Sequence, residues 1–426
     1  MLDLIVKNAT LPDGRGGIDL AIRDGKIAEV GVALEFSAAK EIDVKGYLVS
    51  PPFVDSHFHL DSALTLQQGF VNHSGTLSEG IAIWERIKPE LTSDDIKARA
   101  LEVCKWAIAR GVLAIRSHVD ICEQHLIGVQ ALLEVREQVK PYLDIQLIAF
   151  PQDGYLRCPN AIPNLERALD LGVDVVGGSP HLEKTHSDGT TSIGLLCEIA
   201  EKRGLLLDMH CDETDDPQSR HIETLTLETL RRGLQSRVTG SHLTSMHSMD
   251  DDYANSLISL MAKAQINVVA NPLINITLQG RADTYPKRRG LTRVKELLAN
   301  GVNVSFGHDC IMDPWYSLGS YDMLEVASMA LHVAQMTGSE QMHLMFEAVT
   351  THGAKTLGLG GYGLDKGCNA DLVILQAHNT IDALRLKPAR LYVIRRGQII
   401  AQTPPTISQI HIDGHTSDVD FCTAIL

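Results

Sequence analysis

Over residues 51–364 the chain repeats one pattern, an apolar run of strand length followed by a longer segment of helical period. Alternation of this kind marks successive βα units. The strand-length runs end at His57-Phe58-His59, Arg116-Ser117-His118, Phe150-Pro151-Gln152, Gly178-Ser179-Pro180, His210-Cys211-Asp212-Glu213, Ser241-His242, Asn271-Pro272 and Gly307-His308-Asp309, which makes eight. Eight such units predict an α/β chain closed into a (β/α)8 barrel of TIM type. Helix ends are also readable. Ser93-Asp94-Asp95 supplies capping residues for a run that stops at Arg110-Gly111, and a run over 164–171 stops at Gly172. Histidines and carboxylates gather at the strand C-termini, the end where barrel enzymes place their chemistry.

The flanks have a different texture. Short runs at 3–6, 18–22 and 26–30, the last two joined by Asp24-Gly25, carry a hairpin signal. Similar runs return at 370–375 and 392–400. Residues 1–50 and 365–426 are therefore expected to build one small β-sandwich domain from both chain ends, with the catalytic barrel at 51–364. A chain of 426 residues with 21% charged and 44% hydrophobic residues suits a soluble globular protein. The net charge of -15, with no basic stripe interleaved with aromatics, argues against a nucleic-acid partner. The N-terminal residues show no basic region followed by a long apolar core, and no run nears about 18 apolar residues, so a cytoplasmic protein with no membrane partner is expected. Eight cysteines without a Cys-x-x-Cys pair predict reduced thiols.

In an extended strand, side chains i and i+2 share one side, so His57 and His59 can present two imidazoles to one cation at the barrel mouth. Alone, His-x-His is common on surface strands. Two further strand ends offer donors: His210 behind the apolar run 204–207, and Asp309 behind 302–307. An unpaired carboxylate at the end of a buried strand is costly, and a nearby cation removes that cost. Nitrogen and carboxylate donors of this kind suit Zn(II) or Fe(II) with room for a water; the plainer alternative for His210 is a hydrogen-bonded core histidine. Glu213, three residues past His210, stands where a proton shuttle between an activated water and substrate would stand. Its acidic neighbours Asp212, Asp215 and Asp216 leave a surface acidic loop open as the alternative. His242 is a candidate to hold the attacking oxygen or to stabilise developing charge, against a structural histidine.

With these residues the chain resembles the amidohydrolase superfamily, and more narrowly the bacterial cytosine deaminases. The resemblance spans nearly the whole length and includes Pro51-Pro52-Phe53-Val54, Ser74-Gly75-Thr76-Leu77, Ala149-Phe150-Pro151-Gln152, His210-Cys211-Asp212-Glu213, Asn271-Pro272-Leu273, Gln279-Gly280-Arg281, the stretch 283–290 and Asp313-Pro314-Trp315-Tyr316. It implies a single metal held by His57, His59, His210 and Asp309, with Glu213 carrying a proton from water to a ring nitrogen and His242 with Asp309 orienting the nucleophile. It further implies that Gln152 reads the substrate's carbonyl and adjacent N–H through its two-faced amide. Leu77, Phe150 and Trp315 would wall the ring, although each reads equally well as a core residue. Relatives form oligomers, so a homo-oligomer is expected. The lysine that bridges two metals in many binuclear relatives is missing from 173–181, which favours one metal. Of the other deaminase signature, His-x-Glu followed by Pro-Cys-x-x-Cys, only His181-Leu182-Glu183 is present. The expected substrate is a free aminopyrimidine base, converted with release of ammonia.

One position departs from the family pattern. Cytosine deaminases carry a second aspartate directly after the metal aspartate; here that residue is Cys310. In the family this second carboxylate lies against the ring edge that includes C5. A methyl group displaces water that a carboxylate needs, whereas cysteine behaves as a small apolar residue. The exchange predicts 5-methylcytosine, giving thymine, as a substrate beside cytosine; the alternative is a neutral substitution in a cytosine deaminase. Rival readings are the same chemistry on another amino-heterocycle (isoguanine, creatinine or a triazine), a cyclic amide hydrolase, and a non-catalytic assembly protein built on the barrel.

Overall fold

The computed structural model describes residues 1–69 and 71–422. Its first sheet comes from β1 (Leu2–Ala9), β2 (Ile18–Arg23), β3 (Lys26–Val32) and β4 (Ala38–Asp43), in the order β3-β2-β1-β4. After β5 (Leu48–Ser50) the chain enters the barrel: β6 (Phe53–Phe58), β7 (Val112–Asp120), β8 (Asp144–Phe150), β9 (Val175–Gly178), β10 (Leu206–Cys211), β11 (Val238–His242), β12 (Asn267–Ala270) and β13 (Asn303–Phe306). Each pairs in parallel with its predecessor, so all eight expected strands lie in sequence order within one sheet.

The sheet closes where the donors sit. The Asp309 backbone N–H donates to the His57 carbonyl at 2.9 Å, and the His59 N–H donates to the Asp309 carbonyl at 3.2 Å. Gly307 permits this approach, since a Cβ there would stand 2.5 Å from the His57 Cβ and 2.6 Å from its carbonyl oxygen. Barrel closure and convergence of three candidate metal donors are thus one structural event.

The helices fall close to their sequence signals. The helix Ser93–Ala109 is capped by the Thr92 hydroxyl, which accepts the Asp95 N–H, one residue before the expected cap. The helix Ala161–Asp170 starts three residues earlier than the apolar pattern suggested. Among the described residues no helix is long and apolar enough to cross a membrane.

After the barrel, β14 (Leu372–Leu375), β15 (Arg390–Arg395) and β16 (Gln398–Gln402) form a sheet whose far edge is β5, in the order β16-β15-β14-β5. Leu4, Val6, Leu20 and Ile22 of the first sheet share one core with Leu372, Ile374 and Ile394 of this one. The chain ends therefore bury each other's apolar faces, as expected for sheets that each have one apolar side. A last hairpin, β17 (Ser408–Ile412) with β18 (His415–Val419), is almost wholly exposed.

Candidate active site

At the C-terminal mouth of the barrel, β6 delivers His57 and the residue just past its end is His59, β10 delivers His210, and the turn after β13 delivers Asp309; all four are buried. His59 Nε2 lies 3.1 Å from His210 Nε2, while Asp309 Oδ1 lies 3.5 Å from His59 Nε2 and 3.6 Å from His57 Nε2. Donors about 2.0–2.2 Å from one ion stand roughly 3–3.6 Å apart, so these spacings suit a shared cation. His57 Nε2 is buried with no hydrogen-bond partner, which is costly unless a ligand meets it. Burial, and after it repulsion from the neighbouring rings, holds His57 and His210 well below the usual imidazole range; burial alone takes His59 down to about 3. Neutral imidazoles are the metal-binding form. Burial, then Glu213 and Asp313, raises the Asp309 carboxyl well above its usual range, a tension that a cation would relieve. The residues present fit a single divalent ion.

Sequence reasoning passed over His118. From β7 its Nε2 lies 3.1 Å from His57 Nδ1, so one ring fixes the orientation of the other. The strand-end triplet 116–118 was the available signal.

Glu213 and His242 line the same pocket beside the candidate donors. Glu213 Oε1 lies 3.4 Å from His242 Nδ1, and His242 Nε2 lies 3.8 Å from Asp309 Oδ2. Burial pushes the Glu213 carboxyl up to about 8, so it can hold or release a proton near neutrality. The acidic loop around it is ordered by Asp212, whose carboxylate accepts from the Ser219 hydroxyl and from the backbone N–H groups of His221 and Ile222. Asp212, His242 and Asp309 all take left-handed backbone conformations, with φ of 52°, 71° and 69°. Such residues concentrate where a fold imposes side-chain direction at functional sites.

Beside these groups opens a pocket of about 350 Å³, its mouth included, lined by Gln152, Leu77 and Trp315 together with Ile274, Leu278 and Cys310. Phe150 is placed differently from the expectation. It stacks on His210 at 4.1 Å between ring centroids and is 1% exposed, so it backs the imidazoles and does not line the pocket. Ile274 and Leu278 were not foreseen; their i, i+4 spacing on the helix Pro272–Leu278 was the signal, but it reads equally as core. Cys310 packs with these two and with Leu77, Trp315 and Tyr316 in one apolar group. Burial raises its thiol well above the usual range, and the neutral S–H faces Asp309 Oδ1 at 3.4 Å. Gly80 makes room for this wall, because a Cβ there would stand 2.4 Å from the Trp315 ring.

The sequence matches the amidohydrolase family over residues 40–401. The chain belongs to that family. Among solved structures, 5-methylcytosine deaminase from Klebsiella pneumoniae liganded with 5-fluorocytosine superposes on this amidohydrolase with a TM-score of 0.92 and 40% identity, covering 94% of this chain and 98% of that one. Among curated relatives, N-isopropylammelide isopropyl amidohydrolase from Pseudomonas sp. (strain ADP) is 28% identical over 94% of this chain and 97% of its own length. Pterin deaminase from Rhizobium rhizogenes is 28% identical over 95% of each chain.

Proposed function

We propose that this amidohydrolase hydrolytically deaminates a free aminopyrimidine base, converting 5-methylcytosine to thymine and cytosine to uracil with release of ammonia. The reading is carried by the pocket wall: Cys310, neutral and packed among Ile274, Leu278, Leu77 and Trp315, offers an apolar seat beside the candidate metal donors. The likeness to the Klebsiella pneumoniae enzyme supports the same substrate class.

His57, His59, His210 and Asp309 would hold one divalent ion, Zn(II) or Fe(II), which supplies an activated water. Glu213 would accept a proton from water and pass it to ring N3, so that the C4=N3 double bond becomes single as C4 gains a C–O bond. A second proton passes from the added oxygen to the exocyclic amine, the C4–N bond breaks, and ammonia leaves as the carbonyl forms. His242 faces the reacting oxygen and opposes its growing charge. Gln152 fits the role of amide reader, donating to the C2 carbonyl and accepting the neighbouring N–H. Trp315 and Leu77 exclude water from the ring face.

The test is kcat/KM by ammonia release for cytosine, 5-methylcytosine, a pterin and an amino-triazine, in the parent and in Cys310→Asp. The parent is expected to turn over both pyrimidines, with Cys310→Asp moving the ratio toward cytosine by about 10- to 200-fold, the usual worth of one methylene-sized contact. An unchanged ratio would remove Cys310 from the specificity argument. Turnover of the pterin or triazine alone would move the substrate class.

A further inference from the structure

His242 has two ring nitrogens and could enter the reaction as an acceptor or as a donor; the neutral ring presents one of each. The choice is made by a buried asparagine that sequence reasoning left without a role. Asn275, fully buried on the helix Pro272–Leu278, has its Nδ2 2.9 Å from His242 Nδ1. Its amide cannot turn over freely, because Oδ1 already accepts the Asn271 backbone N–H at 3.2 Å. Nδ2 therefore donates to His242 Nδ1, which must be the bare nitrogen. The ring proton is left on Nε2, the atom that faces Asp309 Oδ2 at 3.8 Å. Asn271 Nδ2 lies 3.3 Å from Nδ1 and 3.4 Å from Nε2 and so does not choose between them, and Glu213 Oε1 lies 3.4 Å from Nδ1; the assignment rests on the shorter Asn275 contact.

We propose that Asn275 is a positioning residue that fixes His242 as the Nε2–H tautomer, making it a hydrogen-bond donor toward the reacting oxygen. One short helix then does two things: Ile274 and Leu278 wall the pocket while Asn275, between them in sequence, sets the proton of the adjacent histidine. The consequence for turnover rests on the deaminase reading; the tautomer does not.

Two variants test this in metal-loaded protein. Asn275→Asp keeps the shape but offers His242 Nδ1 an acceptor, and Asn275→Leu removes the contact. Nitrogen-15 NMR of the histidine rings, with His242 assigned by its loss in His242→Gln, is expected to show the proton on Nε2 alone in the parent and a proton on Nδ1 in Asn275→Asp. For 5-methylcytosine, kcat is expected to fall about 10- to 100-fold in both variants, the range for losing a residue that orients an active-site group, with KM within about threefold and bound metal unchanged. A parent ring protonated on Nδ1, or an Asn275→Asp ring still protonated on Nε2 alone, would overturn the proposal. Since Asn275→Asp is isosteric, it keeps the test open should Asn275→Leu fold poorly. A parent inactive on every base would sink the deaminase reading and leave the NMR result standing.

Discussion

Two buried polar clusters lie along the barrel, and they differ in how completely they are satisfied. Toward the N-terminal end, Arg116 and Asp208 form an ion pair at 3.0 Å with no exposed surface. Every guanidinium nitrogen has a partner there: Nε donates to Gln146 at 2.7 Å, Nη1 to Asp208 and Thr239, and Nη2 to the Thr356 carbonyl at 2.9 Å. Asp208 also accepts the Ser241 hydroxyl at 2.7 Å. At the mouth, by contrast, His57 Nε2, His210 Nδ1 and the Asn271 Oδ1 are buried with no partner. A closed network is what structure alone requires; open valences are retained where something else must bind. Open valences recur away from the mouth, at His221 Nε2 and Arg395 Nε among others, so what marks the site is that the open His57 Nε2 stands among further donors, 3.6 Å from Asp309 Oδ1.

The sharpest way to break this comparison is at Glu213. Glu213→Gln should retain metal and lower kcat by about 10²–10⁴, the usual worth of a general acid–base group, measured by ammonia release on metal-replete protein. A scaffold residue would leave turnover untouched. Stability should move the other way. Burial takes the Glu213 carboxyl from 4.5 up to about 8. A carboxyl whose pKa rises on folding contributes fully below its unfolded value, and that contribution is lost as pH climbs through the folded value. The metal-free parent should therefore lose stability between about pH 4.5 and 8, and Glu213→Gln should escape that part of the loss. At pH 8 the metal-free variant is expected to be the more stable by ~2–4 kcal/mol, with little difference at pH 4.5. Thermal melts at the two pH values check the sign; the difference between proteins cancels the raised carboxyls Asp55, Asp61 and Asp313, while Asp309, raised by burial and then by Glu213, relaxes in the variant and adds in the same direction.

Arg116→Met tests the other half. Removing one partner strands the Asp208 charge and should cost about 3–5 kcal/mol, whereas Arg116→Met with Asp208→Leu should recover much of it. Denaturant unfolding reads both. Asp208 also brings a carboxylate oxygen within 4.8 Å of ring nitrogens of His57 and His118, so turnover is read in Arg116→Met, where that carboxylate stays, and should remain within a few-fold per folded, metal-loaded molecule. A collapse of kcat in protein that remains folded and loaded would show that the lower cluster is part of the site after all.

The division between what sequence reveals and what it hides follows the same line. The barrel was legible because apolar runs alternate with helical segments, and that signal is local and repeated. His57, His59, His210, Glu213, His242 and Asp309 were legible as charged or ligating residues in places where burial is costly. Phe150 was misplaced because an aromatic beside a histidine reads the same whether it faces substrate or backs a ring; only the 4.1 Å stack on His210 distinguishes them. His118 and Asn275 stayed silent because their function lies in which nitrogen meets which, a property of strands and helices distant in sequence. Ile274 and Leu278 show the general limit, since an apolar residue on a helix face looks identical whether its neighbour is core or ligand.

That last ambiguity yields the smallest and finest test. Ile274 is 1% exposed and touches both the core and the pocket, so its outermost methyl belongs to one side or the other. Ile274→Val should lower stability by about 0.5–1.5 kcal/mol wherever that methyl points, because a buried methylene is lost. The substrate readout is more discriminating. If the methyl helps seat the C5 substituent, its loss removes up to about 0.8 kcal/mol of contact, and kcat/KM for 5-methylcytosine should fall about two- to fourfold while that for cytosine holds. An equal change for both bases would assign Ile274 to the core and leave Cys310 as the residue that reads the ring edge.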